Sequence, residues 1–339
     1  MKTIDRKEIK KVLIIRNDRL GDVILTLPLV NAVRDIFPDA VITFLARNYP
    51  AELIKDYKGI NELIREEESG NFFKKYSYFK KNKTDLVINV KPCFEYALLF
   101  FLLNVNYRIG TAYRWYSFLY NFKVHEHRKH SVRHESDYNI NLLGNFFSEL
   151  KPRKDFYFSY TDSERKKLSD KLNGLTEEKF IIIHPGSGGS ARDLPVEILK
   201  EFAGLFSSEF SEYRIVLTGA GAEKEMINDL KFSAETEYNI EITDLCDKLN
   251  LKELMILTDC SALFISNSTG PIHIAGALNK NIIGFYPDEI PVNEIRWKPL
   301  SSNTVIMKPG KNGSMNEIKA SEILKEAEKI LNKNNQIKS

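Results

Sequence analysis

Val12-Leu13-Ile14-Ile15-Arg16-Asn17-Asp18-Arg19-Leu20-Gly21-Asp22-Val23 follows a short mixed-charge lead at the start of the chain. Four consecutive apolar residues read as a strand buried on both faces. The polar, glycine-bearing turn behind them opens a helical pattern that runs to Phe37. This strand–turn–helix unit decides the fold class, because parallel strands can be joined only through a crossover, usually a helix. Pro28 falls inside the helical pattern and should kink or restart it.

Outward from this unit the scheme recurs. Residues 41–46 and 86–90 read as further strands, with helical segments near 51–57 and 72–81 between them. The polar passage Lys151-Pro152-Arg153-Lys154 marks a linker. Beyond it, strands at 180–184, 213–218, 239–243, 262–266 and 281–286 repeat the alternation. Residues 316–332 place Ile323, Leu324, Ala327, Ile330 and Leu331 on one helical face. The expectation is an α/β protein of two Rossmann-like domains, 1–155 and 156–315. A helix within 316–339 needs a surface to cover, for which the first domain is a candidate.

A length of 339 residues favours two cores over one. With 43% hydrophobic and 28% charged residues the composition is that of a soluble globular protein. A net charge of only +3 argues against a nucleic-acid binder. Cys93, Cys246 and Cys260 form no CxxC pair, which argues against a disulfide framework or structural zinc and fits a reducing, cytoplasmic compartment. The apolar run at 12–15 is too short for a signal peptide, and the longest, 96–103, is roughly half a membrane span. The protein is expected to be soluble or peripheral.

Four turns at strand C-termini carry the chemistry, since ligands of open parallel sheets bind there. In the first, Asp22 stands at a helix start, either as an N-cap or as a general base held ionised by the helix N-terminus. The second, His184-Pro185-Gly186-Ser187-Gly188-Gly189-Ser190-Ala191-Arg192-Asp193-Leu194-Pro195, is either a flexible loop or a phosphate cradle to which Arg192 adds a charge-assisted fork. It lacks the Gly-Lys-Ser/Thr of a Walker A loop. The third, Thr218-Gly219-Ala220-Gly221-Ala222-Glu223-Lys224-Glu225, begins like a dinucleotide fingerprint with Asp244 beyond it, but Lys224 replaces the third glycine. Glu223 or Glu225 is then a candidate for a ribose, against an ordinary strand-to-helix turn. The fourth, Ser266-Asn267-Ser268-Thr269-Gly270-Pro271-Ile272-His273, clusters hydroxyl and amide donors where a helix begins, which suits a diphosphate.

Together, the 16–28 stretch, His184-Pro185-Gly186 and Ser268-Thr269-Gly270-Pro271-Ile272-His273 resemble the heptosyltransferase family, glycosyltransferase family 9. The likeness runs from about residue 11 to 310, with the motifs in family order. It implies a GT-B fold, two Rossmann-like domains facing across a cleft with the acceptor on the first and the donor on the second. It implies an inverting, metal-independent transfer from a nucleotide-diphosphate sugar, ADP-linked in the family's usual case, with no cofactor, and no Asp-x-Asp metal motif occurs. On this resemblance Asp22 matches the catalytic base. Arg192, Glu225, Leu249, Thr269, Gly270 and His273 match the donor side, where Ser187 and Ser268 are further donor candidates. Ser268 departs from the family, which usually carries an aspartate there against the donor sugar, so the sugar itself stays open.

For the acceptor, residues 107–134 interleave cations and aromatics and hold four of the six histidines. They read as a solvated basic face or as a surface for an anionic glycolipid or phosphorylated oligosaccharide, peripheral to the inner face of the cytoplasmic membrane. A metal site among the histidines is disfavoured by the surrounding cations. Arg19, Arg108, Arg114 and His134 are the acceptor candidates. The rival readings are a sugar-nucleotide epimerase of the same architecture, a noncatalytic nucleotide- or carbohydrate-binding protein, and, more distantly, a dehydrogenase.

Overall fold

The computed structural model describes residues 4–151, 153–189, 192–310 and 312–337, with side chains through 333. The chain divides into two compact units, Met1–Ser159 and Tyr160–Ser339.

In the first unit β1 (Lys11–Ile15), β2 (Val41–Ala46), β3 (Glu62–Arg65), β4 (Leu86–Asn89), β5 (Tyr107–Thr111) and β6 (Phe122–Val124) form one parallel sheet, ordered β3-β2-β1-β4-β5-β6. The second unit builds the same order from β7 (Phe180–His184), β8 (Arg214–Leu217), β9 (Ile242–Asp244), β10 (Leu263–Asn267), β11 (Ile282–Phe285) and β12 (Thr304–Met307), arranged β12-β11-β10-β7-β8-β9. Both sheets are doubly wound, and in each the strand order reverses next to its first strand. The crevice beyond that pair, β1 with β4 and β7 with β10, is where such a sheet binds ligands. The central strands β4, β7, β10 and β11 are buried along their whole length, as helices on both faces require.

Pro28 restarts the helix. Helix Leu20–Ile24 ends and helix Leu27–Ile36 begins with Pro28 in its first turn, where a missing N–H is no loss. In the break, the fully buried Asn139 Nδ2 donates to Leu25 O at 3.0 Å, and Thr26 Oγ1 donates to Asp22 O at 2.8 Å. The gap after Asp22 is thereby held by the helix Glu135–Gly144, from the far end of the unit.

Two stretches bear on the expected boundaries. The first unit runs to Ser159, a few residues past 155: Asn31 Nδ2 donates to Asp155 O at 2.7 Å, and Tyr57 packs edge-on against Phe158. The terminal helix, Ala320–Ile337, is not a separate element seeking the first domain. Ile323, Ala327 and Leu331 are fully buried in the second unit's own core, together with Phe202 and Phe206 of the helix Val196–Glu209. The reason lies just upstream, where Met315 and Ile318 are already buried in that core and lead the chain onto it.

Candidate active site

In the first unit, β1 delivers Arg16 into a buried cluster of carboxylates. The Arg16 guanidinium bonds Asp22, lies 3.2 Å from Glu135 and 3.8 Å from Asp18. Glu135 is wholly buried and is also gripped by Arg128 at 2.5 Å. The N-cap of the helix Leu20–Ile24 is Arg19, so Asp22 sits within its first turn and spends its carboxylate on Arg16 instead of capping. Gly21 is likewise a buried helical residue and makes no turn of its own.

The electrostatics follow from this packing. Burial pushes the Asp22 carboxyl above the ordinary carboxylate value, against the pull of Arg16, while Asp18 and Glu135 add to the rise. Burial would lower the Arg16 guanidinium, but Asp22, Glu135 and Asp18 together raise it, so the cation is secure. The Asp22 side chain keeps 16% of its surface exposed. A carboxylate anchored by a permanent cation, with a raised pKa and one open side, is a better proton acceptor than an ordinary surface carboxylate. Across the strand-order reversal, Lys91 behind β4 donates to Asn17 O at 3.2 Å and lies 3.5 Å from Asp18. It ties the two loops of the crevice together.

In the second unit the corresponding tie is Asn267, at the end of β10. Its Nδ2 donates to Pro185 O, and its Oδ1 accepts from Leu194 N at 2.8 Å. One buried amide therefore staples both ends of the loop that follows β7. Ser190 and Ala191 of that loop lie outside the described residues. Ser187 is buried and bonds Asp193 within the same loop, while burial raises the Asp193 carboxyl against that bond. Arg192 is exposed and pairs with Glu289 at 2.9 Å, so a ligand phosphate would have to displace a carboxylate to recruit it.

His184 closes β7 with its Nδ1 2.9 Å from Thr218 Oγ1, and burial lowers its pKa to about 4, leaving it neutral. Glu223, not Glu225, turns inward. Its Oε2 accepts from Ala220 N at 2.9 Å and lies 3.8 Å from His184 Nε2. Gly186 is needed for this approach, because a Cβ there would overlap the Glu223 carboxylate. Glu225 is exposed in the first turn of helix Lys224–Tyr238, and Leu249 is half-buried just before helix Leu251–Cys260. Asp244 Oδ1 accepts from Cys246 N at 2.8 Å, a local turn bond.

The turn after β10 matches its reading in position. Thr269 is the N-cap of helix Gly270–Ala277 and makes no side-chain cap bond. Thr269 and His273 are both buried. Ser268 is buried and bonded to Tyr286, whose own hydroxyl donates to Trp297 O at 2.9 Å. Sequence reasoning missed Asn267 as the staple, and Arg16 and Glu135 as the partners of Asp22. Arg16 could have been found from its place at the exit of a buried strand; no local signal marks Glu135.

Of the acceptor candidates, two are engaged within the first unit. Arg108 lies near the N-terminal end of β5, away from the crevice, and its guanidinium bonds Leu119 O at 2.9 Å and Val105 O. His134 is buried as the N-cap of helix Glu135–Gly144, its Nδ1 accepting from Ser136 N. Both side chains serve backbone groups that burial would otherwise orphan. Arg19 and Arg114 are exposed. Among the described residues no three His, Cys, Asp or Glu form a metal-binding group, and no helix is long and apolar enough to cross a membrane.

Residues 75–328, three quarters of the chain, match the family described as glycosyltransferase family 9 (heptosyltransferase). Among curated proteins, a provisionally named glycosyltransferase of Haemophilus influenzae is 28% identical over 312 residues, covering 86% of both chains. Lipopolysaccharide heptosyltransferase 3 of Escherichia coli is 25% identical, covering 84% of this chain and 85% of its own. Among solved structures, the Escherichia coli ADP-heptose lps heptosyltransferase II superposes with a TM-score of 0.83 at 20% identity, over 96% of this chain and 99% of its own.

Proposed function

The chain belongs to glycosyltransferase family 9, with the paired α/β units of the GT-B class, and on that footing we propose that it is an inverting, metal-independent sugar transferase acting in lipopolysaccharide-type glycan assembly. The donor is a nucleotide-diphosphate sugar, ADP-linked by likeness to the relatives, and the sugar is a heptose or a close relation. The acceptor is an anionic glycolipid or its oligosaccharide, reached from the cytoplasmic side of the membrane.

The observation that carries this reading is Asp22, a carboxylate with a raised pKa beside the strand-order reversal of the first sheet, held by Arg16. In the proposed step Asp22 takes the proton of an acceptor hydroxyl. That oxygen bonds the anomeric carbon from the face opposite the leaving group, and the bond from the anomeric carbon to the diphosphate oxygen breaks. The nucleoside diphosphate departs with the electron pair. Its charge is met by the N-terminus of helix Gly270–Ala277, the Thr269 hydroxyl and Arg192, the last recruited from Glu289. The helix dipole, the hydroxyl and the recruited guanidinium together supply what a divalent cation gives in metal-dependent transferases.

The experiment offers ADP-, UDP- and GDP-linked heptose and hexoses to the enzyme with a truncated lipopolysaccharide core, in the presence of EDTA. The expected result is a glycosylated acceptor of inverted anomeric configuration, with ADP preferred. Release of an altered free nucleotide sugar without acceptor would make the protein an epimerase. Donor binding with no turnover on any acceptor would make it a binding protein.

A further inference from the structure

The helix Phe94–Leu102 has two apolar faces and one known partner. Tyr96, Leu99 and Phe100 are buried in the core against the sheet. The opposite face, at helical spacing, carries Phe94, Leu98, Phe101 and Leu102, of which Phe101 and Leu102 are 44% and 50% exposed. An amphipathic helix normally leaves its outward face polar. The neighbouring loop enlarges this face. Trp115 is 74% exposed with its ring 4.9 Å from that of Phe94, and Phe118 is 63% exposed. Arg108 joins the two elements, its guanidinium over the Phe101 ring and bonded to Leu119 O.

Charge is concentrated on the same part of the chain. Residues 91–134 hold seven Lys and Arg against only Glu95 and Glu126, in a protein whose total surplus is three. Glu95 is matched by Lys75 at 2.9 Å and Glu126 by Arg133 at 3.1 Å. Arg114, Lys123 and Lys129 remain at the surface as exposed cations.

We propose that the outward face of helix Phe94–Leu102 and the loop bearing Trp115 and Phe118 form the surface by which this protein docks on an anionic phospholipid bilayer. Aromatic rings sit favourably at headgroup depth, and the cations complement acidic headgroups. A second copy of the chain fits poorly, because the patch would meet its own positive charge. The surface deepens the proposed function by naming where a lipid-borne acceptor is reached. It rests on that reading only for its purpose, since binding is measured without sugar.

The test is co-sedimentation of the full chain with phosphatidylcholine vesicles, with and without phosphatidylglycerol. Binding should require phosphatidylglycerol, weaken with salt, and shift Trp115 fluorescence to shorter wavelength. Trp115→Ser with Phe118→Ser should weaken it by about tenfold or more while circular dichroism and transfer to a water-soluble core oligosaccharide are kept. Lys123→Glu with Lys129→Glu should remove the dependence on phosphatidylglycerol. Absence of binding by the unmodified chain, unchanged binding by the Trp115/Phe118 variant, or a concentration-dependent dimer lost in that variant would each overturn the proposal. Because vesicle binding and soluble transfer are read separately, loss of one reading leaves the other standing.

Discussion

Glu135 reaches 119 residues back along the chain to lie 3.2 Å from Arg16, so the cation that anchors Asp22 is itself anchored from the far end of the unit. If Asp22 is the base, as proposed, this pairing gives Glu135 a measurable effect on a reaction it does not touch. The charge of Glu135 contributes to the rise in the Asp22 pKa. Glu135→Gln should therefore move the acid limb of kcat/KM to lower pH. Glu135→Ala, which breaks a buried ion network, should cost about 3–5 kcal/mol of stability. A pH–rate profile and a denaturant melt of the two variants check both effects.

Asp22→Asn keeps the shape of the side chain and removes the base. Turnover should fall by roughly 10²–10⁴-fold, with donor affinity in a calorimetric titration changed by less than about twofold. Undiminished turnover in this variant would transfer the base role to another group.

His184 links stability to pH. Its folded pKa is near 4, below the ordinary 6.5, because burial disfavours the charged ring. The unfolded chain thus binds the extra proton between these values, and stability rises with pH across that window. The contribution is fully present above pH 6.5 and is lost as pH falls toward 4. At about 1.4 kcal/mol per unit the loss is about 3 kcal/mol. Urea melts from pH 4 to 7 should show this slope in the natural protein and a flatter one in His184→Gln.

Asn267→Leu removes the staple on the loop after β7 and strands Pro185 O and Leu194 N in a buried setting. Each orphaned group should cost about 1–3 kcal/mol. Donor KM should rise more than kcat falls, because the loop that loosens is the one assigned to phosphate. Thermal melts and steady-state kinetics together separate the two effects.

Replacing Gly110 by alanine should destabilise the first unit, since a Cβ there meets the Tyr120 ring at 2.5 Å. Tyr120 is buried and hydrogen-bonded with Asn89 at 2.9 Å, so the ring has little room to yield. Overpacking of this kind costs about 1–3 kcal/mol. A midpoint shift in urea at unchanged slope is the expected readout.

The strand–turn–helix alternation was legible residue by residue, because apolar runs and turn residues act over a few positions. The strands at Val41–Ala46 and Phe180–His184 and the helix at Phe72–Lys81 fall where periodicity places them. The strand Glu62–Arg65 does not announce itself, since it is only half-buried at a sheet edge. Position at a strand exit singled out Asp22 and the Thr269 turn, whereas composition singled out Arg108 and His134 and could not show that both bond backbone groups.

By itself the chain of residues determined two α/β units and the loops that follow their strands, since local spacing encodes both. Tertiary structure alone decided that Arg16 stands between Asp22 and Glu135, that Asn267 binds Pro185 across 82 residues, and that the last helix closes the second core. Those contacts depend on the order in which strands pair, and strand order is set by the packing of the whole unit, which no short stretch of sequence contains.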